Sequence, residues 1–219
     1  MKLVVGTFLT LDGVMQGPGG PEEDRSGGFE HGGWLVPYFD DMMGKVVTAW
    51  TEAADGLLLG RRTYEIFAAH WPRIGDEDPI ARKLNRVRKY VASRTLDRLE
   101  WNNSTLLEGD VAAEVAKLKR EPGRELQVTG SGNLIQTLLK HDLVDEFRLW
   151  EFPVVLGKGK RLFADGAIPA ALKLTDTKTS TTGVAIHTYR PAGKPDYGSF
   201  MLEEPSAEEM ERRRKIAKS

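Results

Sequence analysis

The sequence predicts an α/β fold with three layers, in which a mostly parallel, twisted sheet ends in an antiparallel C-terminal hairpin. Two observations lead to this class. From residue 2 to residue 157, β-like apolar runs alternate with stretches whose apolar residues fall at helical spacing. After residue 170 the pattern turns to strand alone. The length of 219 residues suits one sizeable domain, which we place at residues 1–191, followed by a polar tail at 192–219.

The individual elements follow from local patterns. The first helix is predicted over residues 34–54, because six apolar residues three or four positions apart form one face. The second begins at Arg61 and ends before Pro72. A charged helix is predicted at 206–219, where acidic residues precede basic ones, as the helix dipole favours. Strands are expected at 2–9, 56–60, 89–93, 104–108, 125–130, 145–157, 171–180 and 183–191, and further helices at 79–87, 110–120 and 132–141.

The composition excludes several classes of function. The 31 Lys and Arg residues nearly balance the 32 Asp and Glu residues, so no general attraction to nucleic acid or an anionic membrane is expected. The absence of cysteine removes disulfides, thiolate nucleophiles and Cys-ligated metals. The four histidines show no ligand spacing, and we assign no metal. No run approaches the roughly 18 to 20 apolar residues of a membrane span. We expect a small-molecule ligand and a cytoplasmic location.

Glycines mark the junction between a strand and the helix at 132–141. In Gly130-Ser131-Gly132-Asn133 the missing side chains let backbone amides approach an anion at a helix N-terminus, and a diphosphate suits such a site. An ordinary tight turn is the alternative. The motif is not the dinucleotide fingerprint, because Ile135 stands where the third glycine belongs.

Two further junctions carry arginine and hydroxyl groups. Gly60-Arg61-Arg62-Thr63 places two guanidinium groups in a first helical turn, where positive charge is unfavourable without a bound anion. Ser93-Arg94-Thr95 follows another strand. Because the carboxyl ends of parallel strands meet at one edge of a sheet, the three junctions predict a phosphate-bearing cofactor. The arginines favour NADPH, with its 2′-phosphate, over NADH.

These motifs, read as a set, resemble a known superfamily. The stretches LLLGRRTYEIF, VASRTL, VTGSGNLIQTLL and FPVVLGKGKRLF, with the opening TFLTLDGVM, are similar to the dihydrofolate reductase-like superfamily. The similarity is greatest to the group that contains the C-terminal reductase domain of riboflavin-biosynthesis enzymes, and it covers residues 2 to 190. The resemblance implies an NADPH-dependent reductase and, as in many such reductases, a homodimer.

The resemblance also implies which residues hold the cofactor. The residues after the strand at 56–60 would bind the adenosine-side phosphates, and those after the strand at 89–93 would lie near the 2′-phosphate. The residues of the glycine junction would bind the diphosphate and the nicotinamide ribose. The residues of the first strand and of its following loop would lie against the nicotinamide. The Gly- and Pro-rich stretch at 12–33 would be a lid that excludes water, with a disordered insertion as the alternative. The implied residues are Gly6, Thr7, Leu11, Gly13, Gly60, Arg61, Thr63, Ser93, Arg94, Thr95, Thr129, Gly130, Ser131, Gly132, Asn133 and Leu134.

Hydride transfer also needs a proton donor. By resemblance, Asp12 matches the aspartate of the riboflavin-type reductases, and a turn before glycine is the alternative. Asp40 and Asp41 lie near the start of the first helix, where dihydrofolate reductases carry the carboxylate that pairs with the pterin ring. Their spacing differs from the family spacing by a few residues, and interaction with the helix dipole is the alternative. We take Asp12 and Asp41 as the catalytic candidates.

The substrate is expected to be a small heterocyclic or ribosylaminopyrimidine-like compound. Trp34 and Trp50 are first taken as core residues, and Trp34, which borders the long loop, is the one predicted to face a planar substrate. Lys160, or its neighbour Lys158 or Arg161, is predicted to meet a substrate phosphate, with a plain hairpin turn as the alternative. The zinc deaminase signature of the bifunctional riboflavin enzymes is absent, so only the reductase reaction is expected.

Two interpretations compete with a reductase. One is a non-catalytic NADP(H)- or nucleotide-binding protein, which the uncertain proton donor favours. The other is a structural dimer module in which the alternating apolar residues of FRLWEF, at 147–152, pair across subunits. The second is compatible with reductase activity.

Overall fold

The computed structural model describes residues 1–163, 167–200 and 205–217, and within these ranges it contains one eight-stranded sheet. Short 3-10 turns occur at Ser26–Gly28, Val36–Tyr38 and Trp71–Arg73. The other elements, in chain order, are β1 (Lys2–Thr10), α1 (Asp41–Ala53), β2 (Ala54–Gly60), α2 (Arg61–His70), α3 (Pro79–Arg86), β3 (Arg88–Ala92), β4 (Ser104–Leu106), α4 (Val111–Arg120), β5 (Glu125–Thr129), α5 (Gly132–Lys140), β6 (Glu146–Phe152), β7 (Leu172–Thr179), β8 (Ala185–Pro191) and α6 (Ala207–Ile216).

The strand order confirms the predicted fold class. From edge to edge the sheet runs β4-β3-β2-β5-β1-β6-β8-β7. Every neighbouring pair from β4 to β6 is parallel, whereas β8 pairs antiparallel with both β6 and β7. Because β1, β2 and β5 run in the same direction, their carboxyl ends at Thr10, Gly60 and Thr129 lie at one edge of the sheet.

Helices cover both faces of the sheet, which gives the three layers. On one face, Val115 of α4 and Ile135 of α5 are fully buried against Val5 and Val128. On the other face, Met43 of α1 joins a cluster around β6, while α2 and α3 pack on β2 and β3. Burial on both sides explains why the central strands are nearly continuous apolar runs.

Two predicted elements have different boundaries in the structure. The first helix begins at Asp41 rather than Trp34, because Pro37 lies in a 3-10 turn and the Asp40 side chain caps the helix, accepting a hydrogen bond from Met43 N at 2.9 Å. The predicted strand 145–157 ends at Phe152, since the next residue is a proline without an N–H group.

The segment 147–152 cannot pair across subunits as predicted. It belongs to β6, whose backbone already pairs with β1 on one side and β8 on the other, and its residues are buried apart from Glu151. The edge strands in the described part of the sheet are β4 and β7. The homodimer itself stays a prediction.

The C-terminal helix α6 is polar along its length. It buries none of its residues and carries ion pairs between Glu209 and Arg213 and between Glu211 and Lys215. Hydrogen bonds from Arg212 and Arg213 lower the pKa of Glu209 to about 2. Throughout the described residues, no helix combines the length and apolarity needed to cross a bilayer.

A buried ion network joins the central strands β1, β5 and β6. Arg148 donates to both oxygens of Glu125, at 2.9 and 2.6 Å, and to Glu146 at 3.0 Å, and these three side chains are at most 10% exposed. Lys2 adds a second cation, 2.9 Å from Glu146. Burial alone raises the pKa of Glu125, but the hydrogen bonds from Arg148 and Gln127 outweigh it and the pKa is lowered. Glu125 is therefore ionised, and both carboxyl groups are paired with cations.

Replacing Arg148 should destabilise the protein strongly. Arg148→Met leaves two buried carboxylates with weakened pairing, so we expect the free energy of unfolding to fall by about 3 to 5 kcal/mol in urea denaturation. Arg190→Met is the matched control, because Arg190 is 62% exposed and lies 3.5 Å from Glu146. The control substitution should lower the free energy of unfolding by less than about 1 kcal/mol. Equal losses in the two variants would contradict the importance of the buried network.

Candidate active site

A cavity of about 530 Å³ lies between the carboxyl edge of the sheet and helices α1, α2 and α3. One part, which we call the glycine end, is lined by Thr63, Thr129, Gly130, Ser131 and Gly132. The other part, which we call the apolar end, is lined by Val47, Trp50, Leu57, Ile66, Phe67, Trp71, Ile80 and Leu84.

The structure brings two of the predicted phosphate junctions together at the glycine end. Ser131 Oγ accepts a hydrogen bond from Gly60 N at 2.8 Å and donates one to Thr63 Oγ1 at 2.7 Å. The contact needs a glycine at position 60, because a Cβ there would stand 2.8 Å from Ser131 Oγ. Gly130 and Ser131 both have left-handed backbone angles, with φ of 74° and 66°. For serine this conformation is unfavourable, and such strain concentrates at functional sites.

The helices that start at these junctions have free amide groups. The Ser131 hydroxyl is engaged with the α2 corner, and no side chain in the described ranges caps the N-terminus of α5 or of α2. The first amides of each helix therefore point to the same edge of the sheet without a side-chain acceptor. Such a pair of helix ends can bind a ligand with two linked phosphates.

The third predicted junction lies at the same edge, outside the cavity lining. Ser93 Oγ accepts hydrogen bonds from the backbone amides of Thr95 and Leu96, at 3.1 and 3.0 Å, and so shapes the turn after β3. Arg94 is exposed there. Because β3 pairs in parallel with β2, Arg94 follows the strand next to the one that leads into Arg61.

The two arginines of the Gly60 junction differ in their partners. Arg61 is exposed and lies 3.5 Å from Glu65, one helical turn further on. Arg62 points to the long loop, where its guanidinium donates to Ser26 Oγ at 2.8 Å and lies 3.7 Å from Asp24. Arg61 is the arginine that can bind a phosphate group of a ligand, because its exposed ion pair with Glu65 is weak.

The long loop is folded against the domain. Phe29 is buried, Trp34 Nε1 donates to Gln16 O at 2.8 Å, and Gln16 Nε2 donates to Ser26 O at 2.9 Å. A disordered insertion is therefore the wrong interpretation of this stretch. Seven residues of this stretch line the cavity, namely Met15, Gln16, Gly17, Pro18, Gly19, Glu23 and Asp24.

An ion pair closes the loop over the cavity. Asp24 accepts a hydrogen bond from Lys160 Nζ at 2.5 Å, and with the nearby Arg62 it forms what we call the Asp24 bridge. Burial raises the pKa of Asp24, but the hydrogen bonds from Lys160 and Ser26 outweigh it and the pKa is lowered. Lys160 lines the cavity, as expected of a substrate ligand, although its charge is already paired. Its contact with a substrate phosphate stays a prediction.

Both predicted catalytic aspartates lie outside the cavity lining. Asp12 accepts hydrogen bonds from Thr10 Oγ1 at 2.6 Å, Leu156 N at 3.2 Å and Gly157 N at 2.8 Å. These bonds, that from Thr10 foremost, lower the pKa of Asp12 to about 2, so it holds no proton to donate at neutral pH. Asp41 is exposed in the first turn of α1. Their catalytic roles are not tested by this geometry and stay predictions.

The aromatic residue at the site differs from the expected one. Trp34 packs edge-on against Phe152 in the core, with ring centroids 5.3 Å apart, and does not belong to the cavity lining. Trp50, Trp71 and Trp150 line the cavity instead. Sequence reasoning assigned Trp50 to the core because it lies on the apolar face of α1, and a helical pattern alone does not distinguish a core from a cavity wall.

The implied residues of β1 and of the turn after it divide between the cavity and the surface. Gly6 and Thr7 line the cavity, whereas Leu11 and Gly13 lie outside it. Thr7 is 4% exposed, and among the described residues its hydroxyl has no hydrogen-bond partner. A Cβ on Gly6 would meet nothing within 4 Å, so open space lies beside this position. Of the other implied residues, Leu134 is buried in the core and Asn133 is exposed in the first turn of α5.

The doubly covered sheet with its C-terminal hairpin and its site at the carboxyl edge defines a reductase-type α/β fold. Within that class, the chain belongs to the RibD C-terminal domain family, whose model matches residues 1–188. It is 32% identical over 193 residues to the uncharacterized protein YyaP of Bacillus subtilis (strain 168), covering 86% of this chain and 94% of YyaP. It is 27% identical over 192 residues to the uncharacterized protein YwjB of the same strain, covering 86% of this chain and 98% of YwjB.

Solved structures share the fold at lower identity. A riboflavin biosynthesis protein from Shewanella sp. PV-4 matches with a TM-score of 0.65 and 23% identity, over 88% of this chain and 99% of that one. The deaminase/5-amino-6-(5-phosphoribosylamino)uracil reductase of Thermotoga maritima matches with a TM-score of 0.58 and 15% identity, over 87% of this chain and 56% of that one. Dihydrofolate reductase from Enterococcus faecalis, complexed with NADP(H), matches with a TM-score of 0.55 and 14% identity, over 87% of this chain and 96% of that one.

The position of Asp12 predicts a structural effect on its replacement. Asp12→Asn weakens the hydrogen bonds to Leu156 and Gly157, and we expect the free energy of unfolding at pH 7 to fall by about 1 to 3 kcal/mol. Because the folded-state pKa is lowered from 3.8 to about 2, the ionised carboxylate stabilises the fold above pH ~4 and loses that effect as the pH falls toward ~2.

Thermal unfolding of Asp12→Asn and wild type across this pH range tests the expectation. The difference in stability between the two proteins should be largest at neutral pH and should become smaller on acidification. Asp97→Asn, at an exposed position, is the control and should stay within about 0.5 kcal/mol of wild type. If the two proteins are equally stable at pH 7, or if the difference in stability grows in acid, Asp12 does not hold the segment at Leu156 and Gly157 in place.

Proposed function

We propose that the protein is an NADPH-dependent reductase that transfers a hydride to a small heterocyclic or ribosylaminopyrimidine-like substrate. The observation that carries the proposal is the meeting of two uncapped helix N-termini, through Ser131, beside a cavity on the sheet. Family membership and the NADP(H) complex of the Enterococcus faecalis neighbour support it. We also propose a cytoplasmic location, which the absence of cysteine favours.

The residues at the glycine end fit NADPH. Gly130 and Gly132 present backbone without side chains, and the amides of α2 and α5 would hold the diphosphate. Arg61 and Arg94, both exposed at this edge, would bind the 2′-phosphate. The unpartnered hydroxyl of Thr7 supplies a hydrogen-bonding group at the end of the cavity where the nicotinamide carboxamide would lie.

When bound, NADPH supplies the hydride, and the chain supplies alignment, exclusion of water and a proton. The long loop and the Asp24 bridge would exclude water from the cavity. Glu23 and Asp24 are the carboxyls that line the cavity in the described residues. Burial raises the pKa of Glu23, so Glu23 is a better proton donor in our proposal than Asp12.

A specific observation also favours the alternative, a non-catalytic NADP(H)-binding protein. Asp12, Asp40 and Asp41, the carboxyl groups that the resemblance offers as proton donors, all lie outside the cavity lining. The alternative shares the cofactor site with the reductase and differs only in catalysis. Oxidation of bound NADPH by a substrate separates the two.

Titration of NADPH and NADH, followed by nicotinamide fluorescence, tests the cofactor assignment. We expect Arg61→Ala and Arg94→Ala each to weaken NADPH binding about tenfold, because each removes a charge-assisted contact to the 2′-phosphate, and to leave NADH binding unchanged. Arg120→Ala is the matched control, since Arg120 is exposed at the C-terminal end of α4.

The outcomes separate the proposals. Absence of NADPH binding by wild type, or equal affinity for NADPH and NADH in all variants, would overturn the cofactor assignment. If NADPH binds, its absorbance is followed with dihydrofolate and with pyrimidine ribosylamines as trial substrates. Oxidation with any of them establishes a reductase, and binding without oxidation by any substrate favours the non-catalytic alternative.

A further inference from the structure

The apolar end of the cavity carries information about the substrate that the cofactor site does not. We infer that the substrate presents an uncharged, planar, largely apolar ring to this end and bears no phosphate or carboxylate there. The inference rests on the proposed function, because it takes the glycine end as the cofactor site and leaves the apolar end to the substrate.

The walls of the apolar end are aromatic and aliphatic. Trp50 meets Trp150 nearly at right angles, with centroids 5.1 Å apart, and Phe67 meets Trp71 in the same way at 6.1 Å. Edge-to-face pairs of this kind hold their rings in fixed orientations and leave flat surfaces for a third ring. Ile66 of α2 lines the same end. The shape and chemistry of the walls favour a flat apolar ligand.

Of the described residues, five charged ones line the cavity, and each is paired or lies at the loop. Arg148 is the one beneath the apolar end, and its guanidinium donates to Glu125 and Glu146 while stacking 4.9 Å from the Trp50 ring centroid. The other four belong to the loop and the Asp24 bridge. They are Glu23, Asp24, Arg62 and Lys160.

The ion pairs of Arg148 disfavour an anionic group of the substrate at the apolar end. Glu125 and Glu146 already neutralise its charge, and a third anion beside it would face two carboxylates in a site largely removed from water. Elsewhere at the apolar end, the lining offers the hydroxyl of Thr51 and the amide of Gln127, neither of which carries charge. An anion bound there would lose its hydration without gaining a cation.

A matched pair of probes tests the inference. Quinoline is a flat neutral heterocycle, and quinoline-2-carboxylate is the same ring with one negative charge. We expect calorimetric titration into the full-length protein, with and without NADPH, to give roughly tenfold or more tighter binding of quinoline, because burial of an unpaired carboxylate is unfavourable.

Variants assign the preference to this end of the cavity. Ile66→Lys introduces a cation beside the ring site, so it should weaken quinoline binding and strengthen carboxylate binding, reversing the preference. Thr51→Lys, on α1, should do the same and serves if Ile66→Lys fails to fold. Leu174→Lys, at an exposed position of β7, is the control and should leave both affinities unchanged.

The results distinguish the inference from the proposed function. Equal affinities, tighter binding of the carboxylate by wild type, or binding of neither probe would overturn the inference. NADPH binding is measured in the same samples. Its absence would overturn the proposed function whatever the probes do, whereas NADPH binding together with a missing preference for quinoline would overturn the inference alone.

Discussion

The parallel alignment of β1, β2 and β5 is the constraint on which the rest of the structure depends. Because these strands share a direction, the helices that follow β2 and β5 both begin at the same edge, with their first amide groups facing one region. Ser131 then fixes the two corners against each other through Gly60 and Thr63. The left-handed backbone at Ser131 is the strained conformation that this contact requires. The glycine end of the site is therefore a property of the sheet, and the long loop adds Glu23 and Asp24 to the cavity lining.

Covering both faces of this sheet has a second consequence. Charged groups on the central strands are removed from water, so they must be paired within the protein. Arg148, Glu125 and Glu146 meet this requirement together, since two carboxylates surround one guanidinium and Lys2 supplies the second cation. Arg148 of this network lines the cavity, and its pairing with the two carboxylates shapes what the cavity can bind.

The sequence was sufficient for features that depend on local pattern and insufficient for those that depend on distant contacts. Strands buried on both faces form apolar runs, so their positions were predictable. Two partners of Asp12 lie more than 140 positions away, at Leu156 and Gly157, and no local pattern reveals them. The exposure of Trp50 to a cavity is equally hidden, because helical spacing identifies an apolar face without telling whether a neighbour fills the space beside it. The packing of Trp34 on Phe152 is hidden as well, because the two residues lie far apart along the chain.

The Asp24 bridge also acts as an internal competitor. Its carboxylate occupies Lys160 and lies beside Arg62, two cations that would otherwise attract any anion in solution. A tethered group of this kind competes at an effective concentration on the order of millimolar, whatever the bulk composition. Small free anions such as inorganic phosphate must exceed that level to displace it, whereas a larger ligand can draw on contacts along the whole cavity. The Asp24 carboxylate thus occupies, within the protein, the place that a free anion would take beside these two cations.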